Sequence, residues 1–250
     1  MKCILLCAGY ATRLFPLTEN FPKPLLKVGG RALLDYILDE VNAIEEVDKI
    51  FIITNNKYAH HFEEWAEEKN NVKPIEVIND HTYTNDDRLG AIGDIQYTIE
   101  QGKIDDDLLI IAGDNLFTYK LKDFVEFGKG KNAPCVCVRE EEDMNLLKRV
   151  GVATVDSEMK IVDFVEKPAE PQSKFAVYAE YLYPRNVVPM FKKYLDEGNS
   201  NDAPGNFVAY LYKEMPTYAY AFKGDCYDVG THDALAYVNQ LYTDKNNENN

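Results

Sequence analysis

The sequence predicts an α/β fold in which helices cover both faces of a doubly wound, mixed sheet. In the first half, short apolar runs alternate with amphipathic stretches of helical length, whereas strand-like segments dominate the second half. Near-continuous apolar strands separated by helices are typical of parallel sheets buried on both faces. A succession of further strands extends such a sheet with antiparallel pairs. No linker rich in Pro, Gly and Ser separates the halves, which indicates one domain.

The first half supplies the parallel layer. Its strands are expected at four apolar runs: Cys3–Ala8, Lys49–Thr54, Ile75–Asn79 and Leu108–Ala112. Its helices are expected at the amphipathic stretches Leu33–Ile44, Ala59–Lys69, Gly90–Gln101 and Leu121–Gly128. Right-handed crossovers between such elements produce an open sheet, and ligands bind at the carboxyl ends of its strands.

The second half extends the sheet. Strands are expected at Ala133–Arg139, Gly151–Val155, Ile161–Val165, Ala176–Tyr183 and Thr217–Phe222, and helices at Asn186–Asp196, Asn206–Lys213 and His232–Tyr242. We therefore expect one domain over residues 1–242, with residues 1–130 and 131–242 as its two halves. Residues 243–250 contain no apolar side chain, and they are predicted to form a disordered tail.

Composition excludes several classes of protein. The 250 residues are 46% hydrophobic and 28% charged, which excludes disorder of the whole chain. No apolar run is long enough to span a bilayer, so we expect no membrane partner. The five cysteines lie mostly in strand-like runs, which predicts reduced thiols and a cytoplasmic location.

The charge is distributed unevenly. A net charge of −15 argues against nucleic acid as a partner, because such a surface repels polyanions. Residues 1–34 nevertheless contain five cations and a single acid, Glu19, a net charge of +4 that leaves −19 for the rest. This segment therefore predicts a local anion site.

The basic segment contains a loop rich in small residues directly after the first strand. Ala8, Gly9 and Ala11 allow backbone N–H groups to approach an anion closely. Arg13 is suited to bidentate phosphate binding, and Lys23 supplies a point charge. The loop matches neither the P-loop pattern nor the dinucleotide-binding fingerprint. Taken alone, a tight turn with solvated cations explains it equally well.

Three further motifs follow along the chain. Asp114 follows a buried strand in Gly113-Asp114-Asn115, and one or two carboxylates together with substrate phosphates are the usual ligands of Mg²⁺. The other two motifs are Glu166-Lys167-Pro168 and Asp228-Val229-Gly230-Thr231. Singly, each is explained as well by a turn aspartate, a surface ion pair or a helix cap.

Together and in this order, the motifs resemble those of the sugar-nucleotide pyrophosphorylases, the nucleotidyltransferases that include glucose-1-phosphate thymidylyltransferase. That family carries a loop of the form A-G-x-G-T-R-L-x-P-L-T, followed by P-K, G-D-N, E-K-P and a late D-x-G-T. The matching residues here are Ala8–Thr18, Pro22-Lys23, Gly113–Asn115, Glu166–Pro168 and Asp228–Thr231. The resemblance implies a Rossmann-like doubly wound mixed sheet of the nucleotide-diphospho-sugar transferase type.

The resemblance also implies a role for each matching residue. Arg13 and Lys23 would be catalytic, and Asp114 and Asp228 would bind Mg²⁺. The nucleotide would be bound by Ala8, Gly9, Tyr10, Ala11, Thr12, Arg13, Asn85 and Gly90. The sugar phosphate would be bound by Asn115, Gly151, Glu166 and Lys167.

The implied reaction joins a nucleoside triphosphate, with dTTP or UTP favoured, to a sugar 1-phosphate, with glucose 1-phosphate favoured. An NDP-sugar and pyrophosphate are formed by in-line attack on the α-phosphorus. The attacking phosphate is already an anion, so positioning and charge neutralisation suffice and no general base is needed. The same resemblance leaves room for a homo-oligomer.

Two other functions stay open. One is a CTP-dependent cytidylyltransferase acting on phosphocholine or another phosphorylated alcohol, which uses a similar loop. The other is a non-catalytic subunit that senses nucleotide or sugar. Retention of both metal carboxylates together with Lys23 and Lys167 favours an enzyme.

Departures from the family pattern bear on specificity. Ala11 stands where a Gly is usual, and we expect it to keep the turn only with a negative φ. In the strand after E-K-P, Tyr178 and Glu180 are expected to alter the volume and charge near the sugar site. The sequence therefore leaves the sugar open.

Overall fold

The computed structural model describes residues 1–69 and 71–248, which form a mixed β-sheet with helices on both faces and two small β-ribbons. The strands are β1 Lys2–Leu6, β2 Lys27–Val28, β3 Arg31–Ala32, β4 Lys49–Thr54, β5 Ile75–Asn79, β6 Leu108–Ala112, β7 Asn115–Phe117, β8 Cys135–Glu140, β9 Gly151–Val155, β10 Ile161–Glu166, β11 Phe175–Tyr183, β12 Tyr218–Ala221 and β13 Cys226–Asp228. The helices are α1 Leu33–Asn42, α2 Ala59–Lys69, α3 Ala91–Gln101, α4 Leu121–Lys131, α5 Met144–Leu147, α6 Val188–Asp196, α7 Pro204–Glu214 and α8 His232–Glu248.

The main sheet has nine strands, and its principal order is β10-β9-β11-β6-β1-β4-β5. The four strands of the first half are parallel, with β1 between β6 and β4. Strand β11 is antiparallel to β6 and joins the second half to the first, while β8 and β12 pair beyond it. The predicted fold class, a doubly wound mixed α/β sheet, is confirmed.

The two faces of the sheet are apparent from alternation along β1. Cys3 and Leu5 pack with α1, α2 and α4 in one buried cluster, whereas Ile4 packs with α3, α6 and α7 in another. Successive side chains of a strand point to opposite faces, so a strand that is apolar at every position requires a cover on each side.

The ribbon of β7 and β13 joins distant parts of the chain. The two strands are antiparallel, and their register sets Asp228 opposite Asn115. Helix α8 covers this ribbon through Val238, which packs with Leu116 and Val229. The segment Cys226–Asp228, near the C-terminus, is thereby held at the carboxyl end of β6.

Most predicted elements are confirmed, several of them to the residue, while other boundaries differ by a few residues, as at α4, which ends at Lys131 rather than at Gly128. The first strand ends at Leu6 rather than at Ala8, because the chain leaves the sheet there to form the loop. Helix α8 continues to Glu248 rather than ending at Tyr242. Polar side chains support its last turns, since Thr243 donates to the Asn239 carbonyl and Gln240 to Asp244. The structure thus includes residues 243–248 of the expected tail in helix α8, and the last two residues of that tail lie outside the described ones.

The structure also bears on the cysteines and on membrane-spanning helices. All five cysteines are free thiols. Within residues 1–69 and 71–248, none of the helices combines the length and the apolar character needed to cross a bilayer.

Two glycines of α4 allow a matched test of how this helix packs on the sheet. A Cβ at Gly128 would overlap the buried Leu182 of β11, whereas a Cβ at Gly130 meets nothing within 4 Å. We expect Gly128→Ala to lower the free energy of unfolding by about 1–3 kcal/mol through overpacking. Gly130→Ala should raise it by about 0.5–1 kcal/mol through helix propensity. Urea denaturation measures both, and equal effects of the two changes would contradict the close packing.

Candidate active site

The loop after β1 is held in a left-handed turn. Ala11 has φ 46° and ψ 43°, so the expectation of a negative φ is wrong. Its carbonyl accepts hydrogen bonds from the Thr18 hydroxyl at 2.7 Å and from the Leu14 N–H at 3.0 Å. Thr18 is itself buried, and its carbonyl accepts from the Tyr58 hydroxyl at 2.6 Å. These contacts stabilise a conformation that Gly adopts without strain.

Neighbouring strands fix the start of the loop. The buried Asn55, which follows β4, donates to the Ala8 carbonyl at 2.8 Å. The buried Tyr10 shares a hydrogen bond of 3.1 Å with the Thr82 hydroxyl, beyond the end of β5. Side chains that follow β4 and β5 therefore fix the start of the loop through hydrogen bonds.

A buried cation joins three motifs that are far apart in the sequence. The ammonium group of Lys23 lies 2.9 Å from Asp114 Oδ2 and 3.2 Å from Asp228 Oδ1. Burial alone would lower the pKa of Lys23, but the charges and hydrogen bonds of the two carboxylates outweigh it and raise that pKa. The Lys23 side chain is only 6% exposed, so both carboxylates are held by a cation that stays charged.

The fold explains why these side chains meet. Asp114 follows β6 directly, and the pairing of β7 with β13 carries Asp228 to the same edge of the sheet. Gly230 completes the approach, since a Cβ there would crowd both Arg13 and Asp228.

Two cavities meet at this cluster. The first, of about 370 Å³, lies over the loop, and its lining includes most of the residues predicted to bind nucleotide, Gly9, Tyr10, Ala11, Thr12, Arg13 and Asn85, together with Lys23, which was predicted to be catalytic. The second, of about 300 Å³, is lined by the four residues predicted to bind the sugar phosphate, Asn115, Gly151, Glu166 and Lys167. Arg13 and Asp114 line both cavities.

Two predicted nucleotide-binding residues do not line the first cavity. Ala8, at the start of the loop, does not line this cavity, and its carbonyl accepts a hydrogen bond from Asn55. Gly90 precedes α3 with φ 75°, and a Cβ there would collide with the backbone of Asn201. Arg88, which the sequence analysis missed, lines the first cavity and contacts the Asn85 carbonyl and Asp202. No motif in the sequence distinguished it from a surface arginine.

Glycines make room for an acid in the second cavity. A Cβ at Gly151 or at Gly205 would crowd the carboxylate of Glu166. Burial raises the pKa of Glu166, against a smaller opposing effect of Lys167. Lys167 itself is exposed and has φ 49°. Gly205 and Arg149 also line this cavity, and the sequence analysis missed both.

The two substituted positions of β11 differ in location. Tyr178 lines the second cavity, as expected, and its hydroxyl donates to Glu141 at 2.7 Å. Glu180 does not line it: its side chain is fully buried beside the hydroxyl of Tyr119. Burial raises the pKa of Glu180 to about 7. Glu180 therefore does not bound the volume of this cavity, although its charge interacts with that of Asp114.

The carboxylates of Asp114 and Asp228 have the oxygen ligands that Mg²⁺ prefers. Within the described part of the chain, no group of three or more His, Cys, Asp or Glu side chains is arranged to hold a metal. Two converging carboxylates without further protein ligands suit Mg²⁺, which usually keeps water and phosphate oxygens in its remaining positions.

Residues 2–245 match the nucleotidyl transferase family, and the chain belongs to that family. It is 27% identical over 249 residues to the bifunctional protein GlmU of Methanocaldococcus jannaschii, covering 99% of this chain and 55% of that protein. It therefore spans about half the length of that relative.

Two other relatives are single-reaction transferases by name. The glucose-1-phosphate adenylyltransferase of Geobacillus stearothermophilus is 28% identical over 267 residues, covering 99% of this chain and 67% of the relative. The UTP–glucose-1-phosphate uridylyltransferase AglF of Haloferax volcanii is 28% identical over 183 residues, covering 73% of this chain and 72% of the relative.

Solved structures share the fold. A Bacillus anthracis protein described as a glucose-1-phosphate thymidylyltransferase superposes with a TM-score of 0.82 at 24% identity, covering 98% of this chain and 96% of the other. A UDP-glucose pyrophosphorylase complexed with UDP-glucose superposes with a TM-score of 0.82 at 21% identity, covering 98% of both chains.

The left-handed Ala11 generates a test of strain in the loop. Ala11→Gly should raise the free energy of unfolding by about 0.5–1 kcal/mol, because Gly has no Cβ to strain at positive φ. Ala8→Gly is the control in the same loop, since Ala8 is not left-handed and should lose stability. Urea denaturation distinguishes them. Destabilisation by Ala11→Gly would contradict the strained turn.

Proposed function

We propose that this protein transfers a nucleotidyl group from a nucleoside triphosphate to a sugar 1-phosphate, releasing pyrophosphate and an NDP-sugar. The observation that carries the proposal is the cluster of Lys23, Asp114 and Asp228 at the wall between two cavities. Two phosphate-bearing molecules bound in these cavities would meet at that wall.

Electrostatics decides whether such a meeting is feasible. Two like unit charges 4 Å apart repel by about 4 kcal/mol at an effective dielectric constant of 20. Arg13 lines both cavities and supplies a guanidinium group suited to bidentate phosphate binding. Lys167 in the second cavity supplies a further cation. We infer that Arg13 and Lys23 stabilise the reacting phosphates, while Lys167 binds the acceptor phosphate.

The acceptor phosphate is itself the nucleophile in this proposal. A phosphate monoester is anionic at neutral pH, so no side chain has to remove a proton. The contributions of the protein are orientation and stabilisation of charge, as is general for phosphoryl-type transfers.

Magnesium belongs to the proposal as a cofactor. Asp114 and Asp228 would hold it, and the bound ion would neutralise phosphate charge. Lys23 hydrogen-bonds both carboxylates and so fixes their orientation.

The choice of substrates rests on fewer observations than the proposed reaction does. Glucose 1-phosphate is named in two of the relatives, which favours it as the acceptor. The relatives differ in their nucleotides, and dTTP or UTP is proposed from the motifs of the loop. A non-catalytic subunit is disfavoured, because such a protein has no need to keep Lys23, Asp114 and Asp228 in contact.

A panel of nucleotides tests the proposed activity. Pyrophosphate release is measured with dTTP, UTP, CTP and ATP against glucose 1-phosphate, other sugar 1-phosphates and phosphocholine, with and without Mg²⁺. Asp114→Asn should lower kcat about 10²–10³-fold by weakening charge stabilisation at the reacting phosphates. Asp107→Asn, at the opposite end of β6, should retain near-normal turnover. Release only with CTP and phosphocholine would replace the proposal with the cytidylyltransferase, and no release with any pair would refute it.

The acceptor site has its own test. Lys167→Ala should raise KM for the sugar 1-phosphate about 10- to 100-fold, the value of one lost charge-assisted hydrogen bond, with little change for the nucleotide. Lys160→Ala, at the other end of β10, is the matched control. A rise in the nucleotide KM alone would show that the donor and acceptor cavities are exchanged in this proposal.

A further inference from the structure

Two buried carboxyl groups lie behind the first cavity, and the proposed reaction uses neither. Asp80 follows β5, and Asp94 lies in the first turn of α3. They are only 6% and 7% exposed. One oxygen of each, Asp80 Oδ2 and Asp94 Oδ1, has no N–H or O–H donor. The two carboxyl groups are nevertheless within hydrogen-bonding reach of each other.

A single shared proton accounts for this arrangement. Two adjacent carboxylates cannot both ionise in a buried site, and one retained proton supplies the donor that the oxygens lack. Burial raises the pKa of both groups, and it raises that of Asp94 to about 8 with help from the charge of Asp80. Asp87 on the adjoining loop adds negative charge that acts in the same direction on Asp80. The neighbouring strand β4 contributes the uncharged Thr54, whose carbonyl accepts from the Asp80 N–H at 2.8 Å.

Hydrogen bonds connect this pair to the cavity. Asp80 Oδ1 accepts from the Thr82 N–H at 2.7 Å. The Thr82 hydroxyl in turn bonds the hydroxyl of Tyr10 at 3.1 Å, and Tyr10 lines the first cavity. Thr82 and Tyr10 are both buried, so neither can exchange this partner for bulk water without movement.

We propose that Asp80 and Asp94 share one proton and, as a protonated pair, position Thr82 and Tyr10 in the wall of the nucleotide cavity. Loss of the proton leaves two adjacent anions, whose repulsion separates the end of β5 from the start of α3. Because Thr82 and Tyr10 are attached to Asp80, the cavity wall shifts with it. The consequence for nucleotide affinity rests on the proposed function, whereas the shared proton does not.

The sign of the pH effect follows from linkage. With the pKa of Asp94 raised above its ordinary value of 3.8, the folded chain keeps a proton that the unfolded chain has lost. The contribution of the pair to stability is therefore full below about pH 4 and is lost progressively up to about pH 8. Nucleotide affinity should be retained up to about pH 8 and should decline above it.

Asp94→Asn is the decisive variant, because an amide donates a hydrogen bond to Asp80 at every pH. In the wild type, KM for dTTP or UTP should rise about three- to tenfold between pH 7 and pH 9 as one proton is lost. Asp94→Asn should abolish that rise. It should also reduce by one the protons taken up on folding, measured by urea denaturation between pH 5 and pH 9. Asp123→Asn changes an exposed acid in the first turn of α4 and should behave like the wild type.

Carbon-13 NMR titration of the wild type tests the pair even if the variant does not fold. One aspartate carboxyl should titrate near pH 8, and titration of all of them below pH 6 would overturn the shared proton. An alkaline rise in KM that persists in Asp94→Asn, or is absent from the wild type, would overturn the positioning role. Failure of every nucleotide to react would refute the proposed function instead, while denaturation and NMR would still decide the shared proton.

Discussion

The contact of Lys23 with Asp114 and Asp228 is the interaction on which the site depends. It joins a turn near the N-terminus, the carboxyl end of β6 and a ribbon strand more than 200 positions away from Lys23. Each partner needs the others, because a buried ammonium without carboxylates would lose its charge and two free carboxylates would repel. The closure of β13 on β7 is therefore both a packing event, through Val229 and Val238, and an electrostatic one.

The same constraint explains the form of the loop after β1. The chain has to leave the sheet early and turn sharply for Arg13 to reach the edge where Asp228 lies. Ala11 takes a left-handed conformation to do so, and Thr18 and Tyr58 stabilise it from below. Side-chain contacts thus fix the backbone of the loop, which would lower the entropic cost of the phosphate binding proposed for this site.

Sequence patterns predicted most of the fold for a clear physical reason. Strands such as β6, and β4 between Ile50 and Ile53, are apolar at successive positions because both faces are covered, and that pattern is local. The two- and three-residue strands β2, β3, β7 and β13 were not predicted, since so few residues show no periodicity. The burial of the Glu180 side chain outside the second cavity could not be predicted from the strand's own sequence either. The register of β11 shifts between Val177 and Tyr181, so simple alternation does not hold there. The sign of φ at Ala11 was mispredicted because contacts with residues that are distant in the sequence, through Thr18 and Tyr58, override the intrinsic preference of alanine for negative φ.

The acidic side chains near the site are accommodated in the fold in three different ways. Asp114 and Asp228 share a cation, which leaves their exposed oxygens available at the edge of the sheet. Asp80 and Asp94 are buried without a neighbouring cation, so in our proposal a shared proton neutralises one of their two negative charges. Glu180 is buried beside Tyr119, and burial raises its pKa to about 7. Of these arrangements, the first is the one that presents two partly exposed carboxylates to the second cavity at the edge of the sheet. The pairing with Lys23 therefore distinguishes the acids that the proposed reaction would use from the acids that lie buried in the surrounding structure.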